Sequence, residues 1–155
     1  MASSKNKLKL QFNGFNDMFE KLDKLGADTK KIASDALEES FNAVTPGILA
    51  AIKPHKDPGK TEESLVTTPE VVWEGTRAYV EVGFDLDKGG LPSIFLMYGT
   101  PKHAVKNQYG ATGKSANGIT KDEVLFESVY GSSTLSKVRR VQKKVFTAAM
   151  KKHLG

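Results

Sequence analysis

The chain has no cysteine. Disulfide frameworks and thiolate metal sites are therefore excluded. Its three histidines, His55, His103 and His153, are spread along the sequence and none forms a ligand-spaced pair. No metal or cofactor is expected from them. No apolar run approaches the roughly 20 residues that span a bilayer. The N-terminal stretch Met1 to Lys7 carries charge but no apolar segment, so it does not read as a signal peptide. The expectation is a chain that stays in the cytoplasm where it is made, away from membranes. Aromatic residues make up 8% of the sequence, with one tryptophan. Neither a nucleic-acid recognition motif nor an aromatic stacking platform is visible.

What remains is ordinary for a globular protein. The 155 residues are 39% hydrophobic and 26% charged, enough for one domain with a real core. The net charge of +5 and a pI near 9.3 permit weak attraction to an acidic surface. For sequence-specific DNA readout, a mild lysine excess is the simpler account.

Leu8, Leu10 and Phe12 alternate with polar residues and predict a short half-buried strand. Phe15, Met18, Phe19, Leu22 and Leu25 recur at helical spacing, with Gly26 as a stop. Asp28 can cap a second helix with an apolar face from Ile32 to Ile52; Pro46-Gly47 kinks it or divides it. The Pro/Gly segment 54–60 separates a helical half from a strand half. Val71 to Trp73 and Ala78 to Phe84 predict a hairpin. Ile94 to Tyr98 is a nearly continuous apolar run and predicts a central strand covered on both faces. Gly99-Thr100-Pro101 stops it, and a long loop follows, Lys102 to Ile119. Thr120-Lys121-Asp122-Glu123 reads as a capping box. A final helix runs from Ser132–Thr134 to about His153. The expected fold class is α+β: a small antiparallel sheet of about four strands, N-terminal helices and a long C-terminal helix, in a single domain over 1–155 with a mobile loop at about 100–118.

On a wheel, the final helix sets Leu135, Val138, Val141, Val145, Phe146, Ala148 and Ala149 against Arg139, Arg140, Lys143, Lys144 and Lys151. The basic side suits DNA or an acidic partner. It is equally the solvated face of any surface helix, the simpler reading of the pattern alone.

Catalytic patterns do not form. Gly113-Lys114-Ser115 and Gly59-Lys60-Thr61 end like phosphate loops, but the required first glycine falls on Gln108 and on Pro54. Asp85 and Asp87 flank a turn, and Asp122 and Glu123 sit where a helix begins and acids favour the dipole. Ser132 and Ser133 read as caps. The chain is not expected to be an enzyme.

In order along the chain stand the N-terminal strand and short helix (Leu8 to Leu25), a longer helix leading to Gly59-Lys60-Thr61, a hairpin followed by Phe95-Leu96-Met97-Tyr98-Gly99-Thr100, and two C-terminal helices with a Lys-rich tail. This sequence resembles the neck proteins of long-tailed bacteriophages, the head–tail joining or tail-completion family. The resemblance covers nearly the whole chain, through short motifs. It departs after Gly-Thr-Pro, where the family usually continues into proline- and phenylalanine-rich sequence and this chain has Lys102-His103-Ala104-Val105-Lys106.

The resemblance implies a non-enzymatic virion protein, made in the host cytoplasm. Copies form a ring of six-fold symmetry between the head connector or stopper and the tail terminator or tail tube, and genomic DNA passes through without sequence readout. Contacts are expected from Thr100, Pro101, Lys102, His103, Lys106, Tyr109 and Lys114, with Arg139, Arg140, Lys143 and Lys144 facing the channel. Two alternatives stand beside it: a tail terminator ring capping the tail tube, and a basic non-specific nucleic-acid-binding module.

Overall fold

The computed structural model describes residues 5–12, 14–55, 60–100, 103–106, 112–116 and 119–154. Strand β1 (Lys5–Leu10) is followed by helix α1 (Asn16–Lys24) and the long helix α2 (Thr29–Ile52). A short turn of helix, α3 (Lys60–Glu63), leads to strands β2 (Val72–Glu74) and β3 (Arg77–Asp85). Helix α4 (Leu91–Tyr98), strands β4 (His103–Lys106) and β5 (Thr112–Ala116), and helices α5 (Glu123–Tyr130) and α6 (Ser132–Leu154) complete the chain.

The fold is α+β, as expected, but the main sheet has three strands, not about four. Its order is β1-β3-β2, antiparallel throughout. The central strand β3 buries Ala78, Val80, Val82 and Phe84, the alternation read from the sequence. Leu10 stands opposite Val80, and Asn6 opposite Phe84. Beneath this face α2 contributes Leu37, Phe41, Val44, Ile48 and Ile52 to one hydrophobic cluster, joined by Leu125 and Val129 of α5 and Val138 of α6. A second cluster packs Phe15 and Leu22 against Ala36 and Phe146, holding α1 onto α2 and α6.

The missing fourth strand is the run Ile94–Tyr98, which belongs to helix α4. A short apolar run has no period to separate a buried strand from a helix. The deciding features precede it: Pro92 sits in the first turn, where its fixed φ and missing N–H cost nothing. Leu96 and Met97 are good helix formers. The helix buries only Ser93 and Met97, so it is not covered on both sides. The segment expected as an open loop carries the ribbon β4–β5, with His103 opposite Ala116 and Lys106 opposite Thr112. Its short polar strands lack the alternation that marks a half-buried strand.

Helix α2 runs unbroken through Pro46. Pro46 and Gly47 are exposed, so water can satisfy the carbonyl that loses its partner. The cap of α5 is Asp122, whose Oδ1 accepts the Leu125 amide at 3.0 Å; Thr120 lies outside the helix. On α6 the buried stripe is Thr134, Val138, Gln142 and Phe146. Leu135 and Ala148, placed on the packed side by the wheel, are exposed. Gln142 is accommodated because its Nε2 donates to the Gln11 carbonyl at 3.2 Å.

Candidate interaction site

The apolar-Gly-Thr segment is where the structure concentrates its unusual features. Helix α4 is fixed from its buried side by a polar cluster. Asn6 of β1 is 4% exposed. Its Nδ2 donates to Ser93 Oγ at 2.9 Å and approaches the Met97 sulfur at 3.2 Å. The Tyr130 hydroxyl donates to Asn6 Oδ1 at 2.6 Å, and Ser93 Oγ donates to the Gly90 carbonyl at 2.6 Å. Burial, with the nearby Tyr98, pushes the Tyr130 phenol up to about 12, so it remains a donor at any physiological pH. One asparagine thereby joins β1, α4 and α5. Its position was readable as the inward register of β1, in line with Leu8 and Leu10; its partners were not.

The C-terminal end of α4 is equally fixed. Gly99 adopts φ +76°, and a Cβ there would meet the Ile119 carbonyl at 2.8 Å and the Lys121 amide at 3.1 Å. Only glycine lets the returning chain pass so close. Immediately beyond, the Thr100 amide donates to the Ile119 carbonyl at 2.8 Å, and the Ile119 amide donates to Thr100 Oγ1 at 2.8 Å. This pair of bonds closes the base of the β4–β5 excursion. The Gly-Thr pair is therefore a clamp from which a two-stranded ribbon projects.

Asp122 ties the same corner to α2. Its amide donates to the Leu96 carbonyl at 2.8 Å, and its Oδ2 lies 2.5 Å from Nε2 of His55. Burial alone would raise the carboxyl, but the His55 hydrogen bond, the Leu125 and Val124 amides and the His55 charge together hold it below its ordinary value. The folded carboxyl thus binds its proton less tightly than the unfolded one, and protonation favours unfolding. Asp122→Asn keeps a good helix cap but loses the charge. The stability gap between wild type and Asp122→Asn should be full above the unfolded carboxylate value of about 3.9 and should close as pH falls through the folded value. Denaturant titrations across the acid range check this; a gap independent of pH would show that the charge contributes nothing.

Of the contact residues expected from the sequence, Thr100 is the clamp. His103, Lys106 and Lys114 have their backbone in β4 and β5. Pro101, Lys102 and Tyr109 lie outside the described residues. Gly113-Lys114-Ser115 is within β5, and the next described residues, 119–122, are not helical. Arg139, Arg140, Lys143 and Lys144 are all exposed on α6. Among the described residues no ion pair neutralises them; the pairs present are Lys7–Asp85, Lys31–Asp35 and His55–Asp122. The ribbon and the basic face belong to different elements, and neither is part of the three-stranded sheet. Among the described residues no cluster of His, Asp or Glu is arranged to hold a metal, and no helix is long and apolar enough to cross a membrane.

Sequence reasoning missed the exposed side of α4. Leu91, Phe95 and Tyr98 all face solvent, and reading the run as a strand hid their common stripe. No family model matches the chain, nor does any curated protein or solved structure.

Proposed function

We propose that this chain is a structural virion protein of a long-tailed bacteriophage, forming a ring at the head–tail junction through which the genome passes. The observation that carries the reading is the clamped ribbon β4–β5 beside an exposed apolar helix stripe. A two-stranded ribbon on its own is marginal in water, and its unpaired edges invite a neighbouring chain. A stripe of large exposed apolar residues likewise marks a contact surface. Both suit a subunit completed by assembly. The sequence resemblance supplies the kind of assembly: a neck ring of six copies between head connector and tail.

The exposed basic face of α6, which no ion pair among the described residues neutralises, supports passage of DNA, since phosphate contacts position a duplex without reading its sequence. It also favours the second reading, a basic nucleic-acid-binding module. Replacing Arg139, Arg140, Lys143 and Lys144 together by alanine should flatten the dependence of log affinity on log salt for duplex DNA by roughly 3 to 4, if each contacts one phosphate. An unchanged salt slope would remove α6 as the DNA-facing surface.

The deciding experiment is electron microscopy of lysates from the parent phage lacking this gene. Filled heads and tails of normal length that fail to join are the expected result. Overlong tails would assign the chain as the tail terminator. Intact infectious particles would overturn a virion-joining role.

A further inference from the structure

Helix α6 holds charge of one sign. Seven Lys and Arg residues lie between Ser132 and Leu154, and none of the chain's 18 acids does. The net charge of the whole chain is +5, so everything outside α6 is slightly acidic. Helices α1 and α2, which pack against α6, mix the signs. Asp17, Glu20 and Asp23 stand among Lys21 and Lys24 on α1, and Asp35, Glu38 and Glu39 follow Lys30 and Lys31 on α2. The helix dipole accounts for Lys151 and Lys152 in the last turn of α6. It does not account for the five basic residues from Lys137 to Lys144. Arg139 with Lys143, and Arg140 with Lys144, are like-charge pairs four residues apart, which destabilise a helix. A face that is merely wet intersperses both signs.

The buried stripe Thr134, Val138, Gln142 and Phe146 fastens α6 to the body. At 100° per residue Arg140, Lys144 and Lys151 lie directly opposite that stripe, and all three are exposed. Over the eleven residues from Arg140 to Lys151 the helix rises about 16 Å, the axial span of roughly five phosphates on one strand of a duplex. Lys137 lies close to the same line, but it shares a groove with Glu123 and Glu127 of α5, and those acids repel a polyanion.

The composition of this face selects the partner. The large apolar residues exposed on α6 are Leu135 and Leu154, at its two ends. Between them stands nothing to form the core of a protein interface, where aromatics gather and Lys is depleted. No Phe, Tyr or Trp is exposed on α6, so unpaired bases have no ring to stack on. Its one amide side chain, Gln142, is buried with Nε2 on the Gln11 carbonyl and does not reach out to a base edge. The apolar side of the helix is taken up by the core, which leaves none to enter a lipid surface.

We infer that the line Arg140, Lys144 and Lys151 lies along one phosphate strand of a DNA duplex, and that the contact ends before Lys137, where the acids of α5 begin. The inference rests on the reading of α6 as the DNA-facing helix. It does not depend on the ring.

Lys151→Gln and Lys137→Gln test it in the full chain. Each removes one charge from the same side of the same helix, at an exposed position, and melting curves confirm folding. The dependence of log affinity on log salt is measured for a duplex of about 20 base pairs and arbitrary sequence. It should flatten by roughly 1 in Lys151→Gln and stay unchanged in Lys137→Gln. Equal flattening in both variants means attraction to net charge alone and overturns the line. If Lys151→Gln leaves the slope unchanged while the fourfold alanine variant flattens it, α6 still faces DNA and the line is wrong. If neither changes it, both readings fail. A single strand of the same length that binds more tightly than the duplex, or polyglutamate of equal charge that binds as tightly, overturns the duplex as partner.

Discussion

Gly83→Ala should lose on the order of 3–5 kcal/mol, a large share of the total stability of a domain this size. Gly83 sits in the central strand opposite Lys7, at φ +124°. A Cβ there would run into the Asn6 backbone oxygen and approach Lys7 Cα at 3.1 Å. These are main-chain atoms of β1, so no side-chain rotation relieves the clash. Retreat is blocked on the other edge of β3, where the Val66 amide donates to the Gly83 carbonyl at 2.9 Å and the Asp85 amide to the Ser64 carbonyl at 2.9 Å. The added strain of a non-glycine residue at positive φ acts in the same direction. Detaching β1 also removes Asn6 from Ser93, Met97 and Tyr130, so α4 loses the support that presents its exposed stripe. Denaturant unfolding measures the loss. Gly47→Ala is the control: it is a helical position where a Cβ meets nothing within 4 Å, and it should gain about 0.5–1 kcal/mol. Equal effects at the two positions would show that crowding at β1 is not what Gly83 avoids.

The contrast between these glycines marks what the sequence could convey. Periodicity carried β3 and the basic side of α6, because one face of each is buried along its length and the other is not. It carried α2 as well, since Phe41, Val44, Ile48 and Ile52 keep their spacing across Pro46. It failed at Ile94–Tyr98, an apolar run whose outer half is bare. Had Gly90-Leu91-Pro92 been weighed as a helix start, the stripe Leu91, Phe95 and Tyr98 would have been legible. The site's supports were out of reach for another reason: they join residues far apart in the chain. Tyr130 and Asn6 are 124 positions apart, His55 and Asp122 are 67 apart, and Thr100 finds Ile119 only after the ribbon returns. Gly-Thr-Pro could be read as a stop, but its role as a clamp depends on the chain that comes back to it.

Phe146→Ala should cost about 3–5 kcal/mol, with Phe146→Leu below about 1.5 kcal/mol as a near volume-conserving change. Phe146 is fully buried. Its ring meets those of Phe12, Phe15 and Phe19 at 5.3, 5.0 and 4.9 Å, so the substitution removes three ring contacts along with the buried area. The damage should be local in a diagnostic way. Helix α1 buries only Leu22 on its own account, and this cluster is what fastens it to α6. Amides of α1 should therefore exchange with solvent much faster in Phe146→Ala, while those of β3, whose side chains lie in the other cluster, change less. Arg140 and Lys144 lie well round α6 from Phe146, whereas Arg139, seven residues before it, and Lys143, three before it, border its side. The salt-dependent DNA affinity carried by Arg140 and Lys144 should accordingly survive Phe146→Ala at a temperature where the variant is folded, and fall when these two are replaced by alanine, a change that leaves α1 protection intact. Loss of DNA affinity in both would mean that the basic face depends on α1 being docked, and that α1 belongs to the binding surface.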